Sequence, residues 1–135
     1  MPYAFGMSSN EKLSQCDHRL VKVAERVIKV MDFKVLEGHR DQATQDKYFK
    51  EGKSKLKWPN GKHNKLPSLA IDVVPYPVDF SDKPKAIARF YLLGGLFLMA
   101  ANELGIKLRC GFDWDGDFDL NENQFDDLGH FELVD

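Results

Sequence analysis

Residues 69–74 read Leu-Ala-Ile-Asp-Val-Val, a β-branched apolar run with one carboxylate inside it. Bounded downstream by Pro75 and Pro77, such a run is a buried strand. An ionised carboxylate in apolar surroundings costs several kcal/mol unless it is paired or bound to a metal. Strand alternation turns Asp72 away from the face of Ile71 and Val73, out of the core and into a cleft. The chain must therefore supply a core on one side of this strand and a cationic partner for Asp72 on the other. A lysine, an arginine or a metal ion would each serve.

The core is within reach. The chain has 135 residues, 43% of them apolar, with ten Phe, four Tyr and two Trp. That excludes a disordered chain and a disulfide-stapled miniprotein, and it fits one domain spanning residues 1–135. Leu20, Ala24, Val27, Ile28 and Met31 recur at helical spacing behind Asp17, predicting a helix over 17–31. Phe33 and Val35 alternate with polar residues as a short strand ending at Gly38. A second helix spans 41–51, stopped by Gly52. Residues 53–67, with five lysines, two prolines and a glycine, read as a basic loop. A long helix is expected from Ser81 to Leu104 with Pro84 in its first turn, then a strand from Ile106 to Phe112, an acidic loop over 113–127 and a last strand from Phe131 to Val134. Short strands among helices and long loops predict an α+β domain with a small sheet.

Composition also bounds location and partners. The longest apolar run, Phe90 to Ala101, is twelve residues, short of the roughly 20 that cross a bilayer. No membrane insertion is expected, and no signal segment is visible at the N-terminus. Cys16 and Cys110 show no metal spacing and read as reduced thiols in a protein made in the cytoplasm.

The net charge of -2 conceals a split: residues 1–65 carry 14 basic and 8 acidic side chains, residues 66–135 carry 5 and 13. Lys47 to Lys65 holds seven lysines and one carboxylate. It is either a solvated face or a rim that attracts an anionic polymer. Nucleic acid is excluded as the partner, because the lysines lack regular aromatic interleaving. Trp58, in that loop, is a candidate flank of a substrate groove. Asp113, Asp115, Asp117 and Asp119 alternate as hard-cation ligands do, suggesting calcium. The EF-hand pattern is absent, since Phe118 and Gln124 stand where that loop needs Gly and Glu.

Of the four histidines, His18 begins a charged helix and reads as solvated, and His39 beside Arg40 is ambiguous. His63 precedes the Asp72 strand and His130 precedes the last one. Two histidines and a strand carboxylate suit zinc, with a fourth position left for water. Asp127, three residues before His130, can lie beside such a metal without binding it and take a proton from water. These spacings alone do not separate a zinc site from a salt-bridged Asp72.

Four segments in order carry a resemblance: Gly38-His39-Arg40 with Gln45, then His63 with Ala70-Ile71-Asp72, then Phe112-Asp113-Trp114, then Asp127-Leu128-Gly129-His130-Phe131-Glu132-Leu133. The chain resembles the zinc peptidases of peptidoglycan, which comprise D-Ala-D-Ala carboxypeptidases and dipeptidases and the phage endolysins that are L-alanyl-D-glutamate endopeptidases. Gly61 stands where the family usually has Ser, and the His63–Asp72 interval is longer than usual. The resemblance implies a hedgehog/DD-peptidase-like fold with a small antiparallel sheet and zinc on His63, Asp72 and His130. It implies Asp127 as general base and then acid, and Arg40 as stabiliser of the oxyanion, with Gln45 bracing the Arg40 turn. It also implies a monomer with no separate wall-binding domain that acts on peptidoglycan stem peptides of the host wall, and a calcium-responsive acidic loop. Cleavage of the L-Ala–D-Glu bond is expected; a D-Ala-D-Ala carboxypeptidase or dipeptidase and a non-catalytic zinc-site binding module are the alternatives.

Overall fold

The computed structural model describes residues 3–113, 116 and 127–134. Strands Phe33–Glu37 (β1), Ala70–Pro75 (β2), Leu108–Gly111 (β3) and Asp127–Leu133 (β4) form one antiparallel sheet in the order β1-β2-β4-β3. Helices Met7–Leu13 (α1), His18–Ile28 (α2), Gln42–Lys50 (α3) and Pro84–Glu103 (α4) accompany it. The expected α+β class with a small sheet is the observed one.

The sheet has an apolar face and a polar one. Phe33, Val35, Ile71, Val73, Phe131 and Leu133 are buried against Leu20, Val23, Ala24 and Val27 of α2 and Leu93 and Phe97 of α4. The Phe97 ring stacks on Phe131 at 4.4 Å between centroids, and Phe33 meets Phe97 edge-on. Burying each such side chain stabilises the fold by about 1.5–3 kcal/mol. By length and composition α4 could cross a membrane, but its Phe90, Leu93, Phe97, Ala100 and Ala101 are buried here. Asp72 lies opposite this core, as alternation predicts, and is half-buried while Ile71 and Val73 are closed off.

Helix α2 ends at Ile28, short of Met31, and β3 is trimmed to Leu108–Gly111; three further differences have a physical reason. Helix α1 has no apolar periodicity to announce it, since it buries only Ser9 and Leu13. It is held by tertiary contact: Ser9 Oγ accepts from the Val35 amide at 3.0 Å, covering the edge of β1. Helix α4 starts at Pro84, not Ser81. Proline occupies the first helical turn after Lys83, while Ser81 belongs to a turn in which its own amide donates to Asp79. Strand β4 starts at Asp127, not Phe131. Gly111 pairs with Asp127 on one side, and on the other a Cβ at Gly129 would strike the Val73 carbonyl. Asp127 and His130 are thereby strand residues, not loop residues. The cap at Asp17, whose carboxylate accepts from the Arg19 amide, and the positive φ of Gly52 and Gly105 after α3 and α4 are as the sequence indicates.

Candidate metal centre

The register of the sheet assembles the site. Asp72 on β2 pairs with His130 on β4 and with Glu37 on β1, after an irregularity between Val35 and Glu37. Three polar side chains from three strands thus share the face opposite the core. His63 arrives from a 3₁₀ turn, Lys62–Asn64, that ends the basic loop. His63 is 3% exposed. His63 Nε2 lies 3.2 Å from Asp72 Oδ2 and 3.3 Å from His130 Nδ1, and His130 Nδ1 lies 3.0 Å from Asp72 Oδ1. One ligand atom from each residue falls within 4.8 Å of the others, the one such cluster among the described residues.

What stands behind the two rings decides which atoms face inward. His63 Nδ1 donates to the Gly38 carbonyl at 2.7 Å, which leaves a lone pair on Nε2. His130 Nε2 donates to Glu132 Oε1 at 2.8 Å, which leaves one on Nδ1. Glu132 is itself gripped by Arg109, whose Nη2 is 2.6 Å from Oε2. Two imidazole lone pairs and a carboxylate therefore converge on one point. Such a group can hold a metal ion, and this donor set, with each ring fixed from behind, suits a transition metal. Burial pushes Cys16 up to about 12 and Cys110 to about 11, so both remain protonated.

The charged groups of the cluster shift one another's protonation. Burial disfavours the imidazolium of His130, yet hydrogen bonds to Asp72 and Glu132 overcome it and hold the ring at about 10. Burial likewise opposes charge on Asp72, but electrostatic attraction to His63 and His130 and their hydrogen bonds keep its carboxyl far below the ordinary range. Glu132 falls to about 2, its contacts with His130 and Arg109 outweighing burial. Asp127 goes the other way: burial, and then the charge of Asp72, push its carboxyl up. Asp127 and Asp72 line a common groove of about 300 Å³ with Leu36, Phe80 and Leu128.

Arg40 is 11% exposed and held on several sides. Its Nε donates to Glu37 at 2.6 Å, and Nη2 also contacts that carboxylate. Nη1 donates to Gln45 at 2.9 Å, Nη2 lies 3.6 Å from Asp72 Oδ2, and the guanidinium lies over the Tyr48 ring. Gln45 is fully buried and braces this turn as expected, donating also to the Leu56 carbonyl at 2.6 Å. Asn64 joins the same hub through Gln45 Oε1 and the Arg40 carbonyl. Asn64 also explains the glycine at 61. The Gly61 amide donates to Asn64 Oδ1, and a Cβ there would sit 2.8 Å from that oxygen.

The structure thus brings together His63, Asp72, His130 and Arg40, with Asp127 beside them. Glu37 and Glu132 were missed by sequence reasoning. The signal for Glu132 was period two: two residues after His130 on one strand, it must share the histidine's face. Of the four candidate calcium ligands, Asp113 is buried and bridges to Cys110. Asp115, Asp117 and Asp119 lie outside the described residues, as does Trp114. His39 contacts the Lys65 carbonyl, His18 is exposed, and Trp58 is half-buried.

A family model described as phage L-alanyl-D-glutamate peptidase matches residues 1–134. The L-alanyl-D-glutamate peptidase of Escherichia phage T5 is 34% identical over 143 aligned positions, covering 99% of this chain and 100% of that protein. The crystal structure of the Serratia marcescens L-Ala D-Glu endopeptidase ChiX superposes with a TM-score of 0.71 at 26% identity, covering 96% of this chain and 89% of that one.

Proposed function

The chain belongs to the phage L-alanyl-D-glutamate peptidase family and is a peptidase of that kind; from this premise we propose that it is a zinc enzyme cutting the L-Ala–D-Glu bond of peptidoglycan stem peptides. The observation that carries the metal reading is the convergence of His63 Nε2, His130 Nδ1 and the Asp72 carboxylate, each ring held from behind by an acceptor. Zinc held there supplies Lewis-acid polarisation of the scissile carbonyl and makes an attacking water more acidic.

The protein's own groups do the rest. Asp127 takes a proton from the attacking water and returns it to the leaving amine. A carboxyl raised toward neutrality suits both halves of that task. Arg40 stabilises the developing oxyanion. A guanidinium has five N–H donors. Glu37 takes the one on Nε and Gln45 takes one on Nη1. Nη2 contacts the Glu37 carboxylate and lies 3.6 Å from Asp72 Oδ2, at the edge of the cluster. The acidic segment with Asp113, Asp115, Asp117 and Asp119 is proposed as a calcium site. Activity at fixed zinc should fall when a calcium-selective chelator is added, and unchanged activity refutes it.

Mass spectrometry of muropeptides after digestion, with a chelated control, tests the main reading. Stem peptides released at L-Ala, only in the unchelated sample, are expected. Loss of terminal D-Ala instead would make the enzyme a carboxypeptidase, and products that persist under chelation would remove the metal.

A further inference from the structure

The two histidines of the centre use different ring atoms. His63 offers Nε2 and rests Nδ1 on a neutral backbone carbonyl, whereas His130 offers Nδ1 and rests Nε2 on the carboxylate of Glu132. A strand places residues i and i+2 on one face, so the backbone of β4 puts Glu132 beside the distal nitrogen of His130. Glu132 is 6% exposed, and Arg109 on the neighbouring strand β3 fixes its other oxygen. A free histidine chooses between two neutral tautomers, and the partner of one nitrogen decides which nitrogen is left to bind metal.

We propose that Glu132, anchored by Arg109, is a positioning residue that holds His130 in the Nε2–H tautomer and thereby selects Nδ1 as its metal-binding atom. The proposal rests on the metal reading above. Nε2 points toward Glu132 and away from His63 and Asp72. Binding through Nε2 would require the ring to turn over, bringing a protonated Nδ1 against Glu132 and breaking the register of ligand atoms. An electron-rich acceptor on Nε2–H also makes Nδ1 a stronger donor to the ion.

The experiment uses the full chain, zinc competition against a chromophoric chelator, and long-range proton–nitrogen spectra of the imidazoles in the zinc-loaded protein. In the wild type the His130 ring should carry its proton on Nε2 and the His63 ring on Nδ1. Glu132→Leu should weaken zinc binding by about 10- to 100-fold and abolish the single His130 tautomer. Glu132→Gln, which keeps an acceptor oxygen, should recover most of that affinity and the tautomer. Should Glu132→Leu fail to fold, the wild-type spectrum and the Gln variant still decide. A His130 proton on Nδ1 in the loaded wild type, or zinc affinity within twofold of wild type for a folded Glu132→Leu, overturns the proposal while leaving the metal centre intact. A wild type that binds no zinc overturns both.

Discussion

His130 is a buried ring that, by burial alone, should be neutral; two carboxylates hold it protonated up to about 10. The sign of the consequence follows. A metal ion entering below that pH must displace a proton, so binding near neutrality should release one proton from His130, and apparent affinity should climb with pH. Calorimetry in buffers of different ionisation enthalpy reads this directly, and a heat independent of buffer would contradict it. The same shift stabilises the metal-free fold. Its contribution is complete below the ordinary histidine value of 6.5 and disappears as pH rises through about 10. At Asp127 the expectation is different, because that side chain stands beside the ligand set and is not one of its members. Asp127→Ala should keep its zinc, measured by metal content, while hydrolysis falls by about 10²–10⁴-fold. Full activity in that variant would remove Asp127 from the role of base.

Strand β4 shows what an element can hide. The sequence reading ends the acidic loop at Asp127 and starts the last strand only at Phe131. In the fold Gly129 is a strand residue at a point of close approach, where the Val73 carbonyl and the Phe90 ring occupy the space of a Cβ. Gly129→Ala should therefore destabilise the protein by about 1–3 kcal/mol, read by urea titration of the metal-free chain. Gly95→Ala is the control. Its Cβ would meet nothing within 4 Å on helix α4, and the exchange should stabilise by about 0.5–1 kcal/mol. The same contrast explains what was legible. The strand of Asp72, the cap at Asp17 and the Gly52 stop depend on residues close in sequence. So does the hub residue Gln45, through its motif. Helix α1 depends on a contact 26 residues away and the start of β4 on a pairing with Gly111 on another strand, while Glu37 joins the cluster through a register irregularity in β1, and none of these is encoded by a local pattern. Pro84 at the start of α4 was visible, but the choice of cap upstream of it was not.

The charge split acquires a spatial meaning at the scale of the whole molecule. Arg40 and His63 come from the basic half, Asp72, Asp127 and His130 from the acidic half, and the antiparallel order β1-β2-β4 joins them at one seam. Net charge therefore says little about what the molecule attracts; the field near the site is set by which half borders it. The lysine-rich loop leads directly into His63, and Lys55, Lys57 and Lys65 on it are exposed. A substrate whose stem peptides bear carboxylates should be drawn to that rim, a long-range effect that ordinary salt weakens because the screening length is about 10 Å at 0.1 M. We expect kcat/KM on soluble muropeptides to fall as ionic strength rises while kcat at saturation stays level, since the ligand set is buried and only the approach is screened. Exchanging Lys55, Lys57 and Lys65 together for Gln should lower kcat/KM at low salt and flatten its salt dependence, with zinc content unchanged. If the triple variant keeps the wild-type slope, the rim is a solvated face with no part in capture, and the attraction must come from the site itself.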